Sequence, residues 1–271
     1  MDLSSKVTLN NGVEMPWVGL GVFQAEEVIK AVGYAIGCGY RSIDTAAVYK
    51  NEEEVGIAVK ESGIPRNELF ITSKVWNTDQ GYNSTLRAFG ESIEKLQMDY
   101  LDLYLIHWPK GARSIETWKA MEELYNQGKI KAIGVSNFMV HHLNEFLPEC
   151  KIAPAVNQVE FHPELVQPEL LEFCKGNNIR LEAWSPIMKG RVNDIPVLKA
   201  LAAKYGKTPA QITLRWDLQK GVVTIPKSVT PKRIQSNIRI FDFELSDEDM
   251  AKIDRLDKNK RIGPDPDNIA F

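Results

Sequence analysis

Residues 69–107 read LFITSKVWNTDQGYNSTLRAFGESIEKLQMDYLDLYLIH, and their pattern decides the fold. Apolar residues dominate 69–74 and again 101–107, in strand-sized runs of the kind that strands covered on both faces show. Between the runs, Leu86, Phe89, Ile93 and Leu96 recur at helical spacing and form one apolar stripe. Strand, amphipathic helix, strand is the unit of a parallel sheet, because parallel neighbours need a crossover connection.

The alternation continues in both directions. Further strand candidates lie at 17–21, 40–44, 132–136, 155–160, 180–184 and 222–226. Helical stripes recur at Val28, Val32 and Ile36 and at Trp118, Met121 and Tyr125. Gly39, Gly63, Gly128, Gly176 and Gly221 each follow a helical stretch and precede a strand, where a left-handed helix cap belongs. Thr208, Pro209 and Gln211 are spaced as N-cap, first helical residue and capping-box partner. Eight strand–helix units in 271 residues predict a (β/α)8 barrel in a single domain spanning 1–271. A doubly wound sheet shares the alternation, yet no G-x-G-x-x-G follows any strand and eight units close a barrel. Ahead of the first unit, 6–9 and 13–17 flank Asn10, Asn11 and Gly12, predicting a hairpin that closes the N-terminal mouth of the barrel.

Composition narrows the function. With 33 basic against 36 acidic residues the net charge is −3, which argues against a general nucleic-acid binder. The longest apolar stretches are strand-sized and the first residues lack a signal-peptide layout, so no membrane association is expected. Cys38, Cys150 and Cys174 are far apart, without a CxxC, and read as reduced thiols of a cytoplasmic protein.

Barrels place their chemistry where strands end. Those ends bring Asp44, Lys74, His107, Ser136, Asn137, Gln158, Ser185, Lys227 and Ser228 to one rim, with Tyr49 in the loop after Asp44. An Asp and a Lys on neighbouring strands would pair, and the ammonium would favour the Tyr49 phenolate, lowering its pKa from about 10. Such a phenol is a general acid usable near neutral pH. No H-x-H or HExxH supports a metal site; His141, His142 and His162 read as structural or surface residues. No G-x-S-x-G supports a serine nucleophile.

The stretch 39–56, GYRSIDTAAVYKNEEEVG, resembles the first signature of the aldo-keto reductases, and 225–228, IPKS, with Arg233, Ser236 and Asn237, resembles their C-terminal one. GVSN at 134–137, NQ at 157–158 and WSP at 184–186 stand between them in family order. The resemblance runs from about residue 7 to the end and is strongest to small microbial members that reduce 2,5-diketogluconate, methylglyoxal or glyoxal.

It implies a metal-free, NADP(H)-dependent carbonyl reductase. Tyr49 would protonate the carbonyl oxygen, Lys74 would depress the Tyr49 pKa, Asp44 would hold Lys74, and His107 would orient the substrate. Ser136, Asn137 and Gln158 would bond the nicotinamide carboxamide, and Trp184 would stack on its ring. Gly21, Ser185, Pro186 and Val229 complete the implied cofactor contacts. Lys227, Ser228 and Arg233 would clasp the 2′-phosphate, with Asn237 near the adenine; Ser236 departs from the Glu or Gln common there. Phe23, Trp76 and Trp108 would wall the substrate pocket. A short loop after Pro109 and a short tail from Ile262 to Phe271 suggest an open site for small-molecule carbonyls, and the resemblance implies a monomer. A regulatory, channel β-subunit-like protein that binds cofactor without turnover is the alternative.

Overall fold

The computed structural model describes residues 1–269; Ala270 and Phe271, the last two of the tail read above as short, lie outside them. Eight parallel strands stand side by side in chain order: β3 (Leu20–Gly21), β4 (Ser42–Asp44), β5 (Phe70–Val75), β6 (Leu101–Ile106), β7 (Ile130–Ser136), β8 (Val156–Glu160), β9 (Arg180–Trp184) and β10 (Val223–Thr224). The sheet closes on itself. Val18 pairs with Thr224 and Gly21 with Lys227, and Gly19 and Thr224 donate backbone N–H bonds across the seam at 3.0 and 3.1 Å. Helices α1 (Val28–Gly37), α2 (Glu52–Glu61), α3 (Tyr82–Leu96), α4 (Ala112–Asn126), α5 (Val140–Phe146) and α6 (Pro168–Gly176) follow β3 to β8 in turn. Both α7 (Pro196–Tyr205) and α8 (Pro209–Gln219) follow β9, α9 (Pro231–Asn237) follows β10, and α10 (Asp247–Asp254) comes last. This is the expected (β/α)8 barrel.

The hairpin expected ahead of it is present, as β1 (Lys6–Thr8) antiparallel to β2 (Glu14–Pro16). Its turn is fixed below the barrel. Asn10 Nδ2 donates to Pro154 O and Asn11 Nδ2 to Lys131 O, each at 2.9 Å, at the starts of β8 and β7. Val7, Leu9 and Met15 bury their side chains there.

Two local expectations need correction. The strands read at 17–21 and 222–226 shrink to two residues each, because their flanks meet only across the seam, through isolated bridges. Gly176 is the last residue of α6 and has no left-handed backbone; Asn178, at φ 56°, makes that turn instead. Gly39, Gly63, Gly128 and Gly221 do adopt the left-handed conformation. Thr208 caps α8 as expected, accepting from Gln211 N at 3.2 Å while Gln211 Oε1 accepts from Thr208 N at 3.0 Å. Among the described residues, no helix is long and apolar enough to cross a membrane.

Gly134 lies where β7 touches both neighbours. A Cβ there would sit 2.6 Å from Val156 O and 2.8 Å from Leu105 Cδ2. The carbonyl belongs to the sheet and cannot swing aside. Gly134→Ala should therefore lower stability by about 1–3 kcal/mol, the usual cost of overpacking a tight core, as read from urea unfolding.

Candidate active site

Strand alternation places Thr72 and Lys74 on one face of β5, and Lys74 reaches the barrel interior with no exposed surface. Its ammonium donates to Asp44 Oδ1 at 2.7 Å and to Thr45 O at 2.9 Å. Burial alone would push this ammonium down, but the Asp44 carboxylate and the Tyr49 phenol hold it above its ordinary value. Asp44 uses its other oxygen too. Gln158 Nε2 donates to Asp44 Oδ2 at 2.7 Å and to Glu182 Oε2 at 2.8 Å, so both amide hydrogens are engaged by carboxyls.

Tyr49 ends a one-turn helix, Ala47–Tyr49, in the loop between β4 and α2. That loop is tied down by buried polar residues. Thr45 Oγ1 donates to Asn51 Oδ1 at 2.6 Å, Asn51 Nδ2 to Val22 O at 3.0 Å, and Ser73 Oγ to Glu52 Oε1 at 2.6 Å. The Lys74 ammonium lies 5.1 Å from the centre of the Tyr49 ring. It pulls the phenol toward ionisation, as expected, but desolvation outweighs it and the phenol stands above its ordinary value. The simple expectation of a lowered pKa is thus corrected for the ligand-free protein.

His107 follows β6, with its ring 5.7 Å from that of Tyr49. Desolvation and the Lys74 ammonium act in the same direction here and hold His107 well below the usual imidazole range, so the ring is neutral. An aromatic wall surrounds the pair. Phe23 lies 4.8 Å from Tyr49, Trp76 5.0 Å from His107, and Trp108 stacks on His107 at 6.3 Å between ring centres. Half of Phe23 is exposed, whereas Trp108 is buried.

Across the mouth, Ser136 Oγ donates to Gln158 O at 2.7 Å. Asn137, in the left-handed region at φ 66°, donates through Nδ2 to His107 O at 2.9 Å and to Ser136 Oγ at 3.1 Å. Its Oδ1 accepts from Trp184 Nε1 at 2.8 Å. Gln158 Oε1 has no partner among the described residues. Gly21 sits on the seam with little room for a side chain, since a Cβ would lie 3.0 Å from Ile225 O. Ser185 is left-handed at φ 52° and leads into Pro186.

Lys227 and Arg233 are exposed and enter no ion pair among the described residues. Between them, Ser228 is buried and accepts from Thr230 N at 3.2 Å, while Val229 is exposed and Asn237 closes α9, buried. This cluster meets the rest of the mouth through the seam, where Lys227 bridges Gly21.

Three features of the mouth escaped the sequence reading. Glu182 is one; a signal existed, since it precedes Trp184 by two residues and so shares its face of β9. Burial and the Asp44 carboxylate push its carboxyl up to about 8. Glu160 is the second. It is fully buried at the end of β8 and accepts from Ile262 N at 2.7 Å and Gly263 N at 3.2 Å, with His162 Nε2 at 3.1 Å. The third is the tail itself, which folds back so that Gly263 lies against the Trp184 ring. His141 and His142 both meet Asp267, at 2.8 and 3.3 Å, and His142 Nδ1 accepts from Met139 N at the start of α5.

The comparisons agree with this geometry. The Aldo/keto reductase family model matches residues 11–258. The glyoxal reductase of Bacillus subtilis (strain 168) is 62% identical over 272 residues, 99% of each chain. Methylglyoxal reductase DkgA of Escherichia coli (strain K12) is 50% identical over 270 residues, covering 97% of this chain and 98% of that one. Among solved structures, a Bombyx mori aldo-keto reductase in complex with NADP superposes with a TM-score of 0.91 at 37% identity, over 97% of this chain and 95% of that one.

The buried pair supplies a stability test. Asp44→Asn removes the counter-charge bonded to the buried Lys74 ammonium and should cost about 3–5 kcal/mol in urea unfolding at neutral pH. Removing the charge as well, in Asp44→Asn with Lys74→Met, should restore part of that loss; a double variant no more stable than the single one would contradict the ion-pair account.

Proposed function

Because the chain belongs to the aldo/keto reductase family, we propose that it reduces aldehydes, 2-oxoaldehydes and ketones to alcohols at this mouth, with NADP(H) as its cofactor. One observation carries the reading: a fully buried ammonium, ion-paired to Asp44 at 2.7 Å, stands 5.1 Å from the Tyr49 ring with a neutral His107 beside it. Tyr49 holds the proton that a carbonyl oxygen needs. Lys74 stabilises the phenolate left behind, and Asp44 fixes the ammonium in place. Neutral His107 is a hydrogen-bond donor to the same oxygen and orients it. Phe23, Trp76 and Trp108 exclude water and cover the apolar part of the substrate.

The residues present fit NADP(H), which supplies hydride when bound. Gln158 Oε1 and the remaining lone pairs of Ser136 and Asn137 are acceptors suited to a primary amide. Trp184 offers an aromatic surface, and Gly21, Ser185 and Pro186 line the approach. Lys227, Ser228 and Arg233 suit a phosphate monoester, with Val229 and Asn237 beside an adenine. That neither cation enters an ion pair among the described residues supports the 2′-phosphate over a plain ribose. The glyoxal and methylglyoxal reductases among the relatives favour small 2-oxoaldehydes as substrates. We read the protein as a single 1–271 domain, monomeric and cytoplasmic, consistent with three free thiols. A cofactor-binding regulator without turnover is not favoured, because it leaves the buried proton-donating cluster without a task.

With methylglyoxal and NADPH, Tyr49→Phe should lower kcat by about 10²–10⁴-fold while NADPH binding stays within about twofold. Retained turnover removes Tyr49 as the proton donor. Arg233→Ala should weaken NADPH by about tenfold or more and leave NADH nearly unchanged in a fluorescence titration. An equal loss for both nucleotides excludes the 2′-phosphate assignment.

A further inference from the structure

One carboxyl in the barrel has no part in the reading above. Glu182 is 1% exposed, and its register partners are Gln158 on β8 and Val223 on β10. Oε2 accepts one amide hydrogen from Gln158, and Oε1 has no partner among the described residues. The ionisable groups that bear on it are Asp44 from β4, Tyr49 from the loop after β4 and Lys74 from β5. Charge bookkeeping in this enclosure is simple. There is one ammonium, already committed to Asp44 at 2.7 Å, and there are two carboxyls joined by a single amide nitrogen. The cluster is neutral only when one carboxyl keeps its proton, and Asp44, bonded to the ammonium, is the one to ionise.

We propose that Glu182 is a positioning residue that retains a proton in the working enzyme, and that losing this proton sets the alkaline limit of carbonyl reduction. As an acid, Glu182 leaves Lys74 free to stabilise the Tyr49 phenolate, and it holds the Gln158 amide by one hydrogen while Asp44 holds it by the other. On ionisation the proton leaves to solvent, and a second negative charge then stands behind Asp44. That charge offsets the ammonium and raises the Tyr49 phenol further, since the two are electrostatically linked. The phenol keeps its proton but becomes a weaker acid toward the substrate. Burial and Asp44 push Glu182 up to about 8, which puts the change within reach of ordinary assays.

This inference rests on the proposed reductase activity, so two independent readouts are needed. The first is kcat/KM for methylglyoxal with NADPH from pH 6 to pH 10, in the native chain and in Glu182→Gln, whose amide oxygen still accepts from Gln158. The native chain should fall through a midpoint at about 8 to a lower plateau, the rate supported by the weaker acid. In Glu182→Gln the falling limb should move up by at least one pH unit. The second is infrared difference titration of the ligand-free protein, which needs no turnover. Burial also pushes the Asp217 carboxyl well up, so the diagnostic signal is the part of the protonated-carboxyl stretch that Glu182→Gln removes, and this part should be present at pH 7 and gone by pH 9. Identical limbs in the two proteins overturn the kinetic role, and no Glu182-dependent band at pH 7 overturns the retained proton. A native chain without NADPH-linked turnover refutes the reductase reading instead, and the infrared titration still decides the state of Glu182.

Discussion

A lysine ammonium with no exposed surface is the constraint around which the mouth of this barrel is organised. Moving it out of water is tolerable only with a counter-charge and good hydrogen bonds at hand. Asp44 on the neighbouring strand supplies the charge at 2.7 Å, and the Thr45 carbonyl supplies a further acceptor at 2.9 Å. The pairing of β4 with β5 aligns Asp44 with Thr72, two residues below Lys74 on the same face. The lysine side chain therefore meets Asp44 inside the barrel mouth. Sheet register thus fixes the electrostatics before any loop is considered.

The same ammonium has opposite consequences for its two neighbours. At His107, burial and positive charge both disfavour protonation, so the imidazole is neutral without a dedicated partner. At Tyr49 the two effects compete. Burial holds the phenol neutral, while Lys74 makes its phenolate less costly. A half-buried phenol that keeps its proton at rest, but sits beside a fixed positive charge, is suited to giving that proton up only when a developing oxyanion demands it. The raised resting value is therefore compatible with acid catalysis, although the sequence reading assumed a lowered one.

How far the fold could be read from the chain follows from the same geometry. Eight apolar runs separated by amphipathic stretches are legible, because strands covered on both faces concentrate Val, Ile and Leu. The four residues Asp44, Tyr49, Lys74 and His107 were legible as strand ends and a loop, and the structure brings them together. The two shortest strands were misjudged because closure occurs through isolated bridges, such as Val18 with Thr224, that leave little local pattern. Glu182 was missed for a different reason. In RLEAW, residues 180–184, alternation suggests a polar face turned to solvent, yet this barrel lines its upper interior with polar groups and Glu182 joins Gln158 there. Local periodicity identifies the two faces of a strand but not which of them water reaches.

The tail shows why chain length alone is a poor guide to how open a site is. Glu160 and Glu182 occupy inward positions at successive levels, beside Trp184 and beneath it, and each must be satisfied without solvent. Glu160 accepts two backbone N–H groups from Ile262 and Gly263 and stands beside His162, so its needs are met by folding the tail onto the rim. The contact carries Gly263 onto the Trp184 ring, where a side chain would collide. A few residues thereby cover part of the mouth, and the glycine allows the close approach to Trp184. Glu182, one level deeper, is beyond the reach of those donors and has a single amide hydrogen. Two acids on the same wall of the barrel thus meet burial in two ways. One recruits backbone from elsewhere in the chain and shapes the site; the other keeps a proton and tunes it.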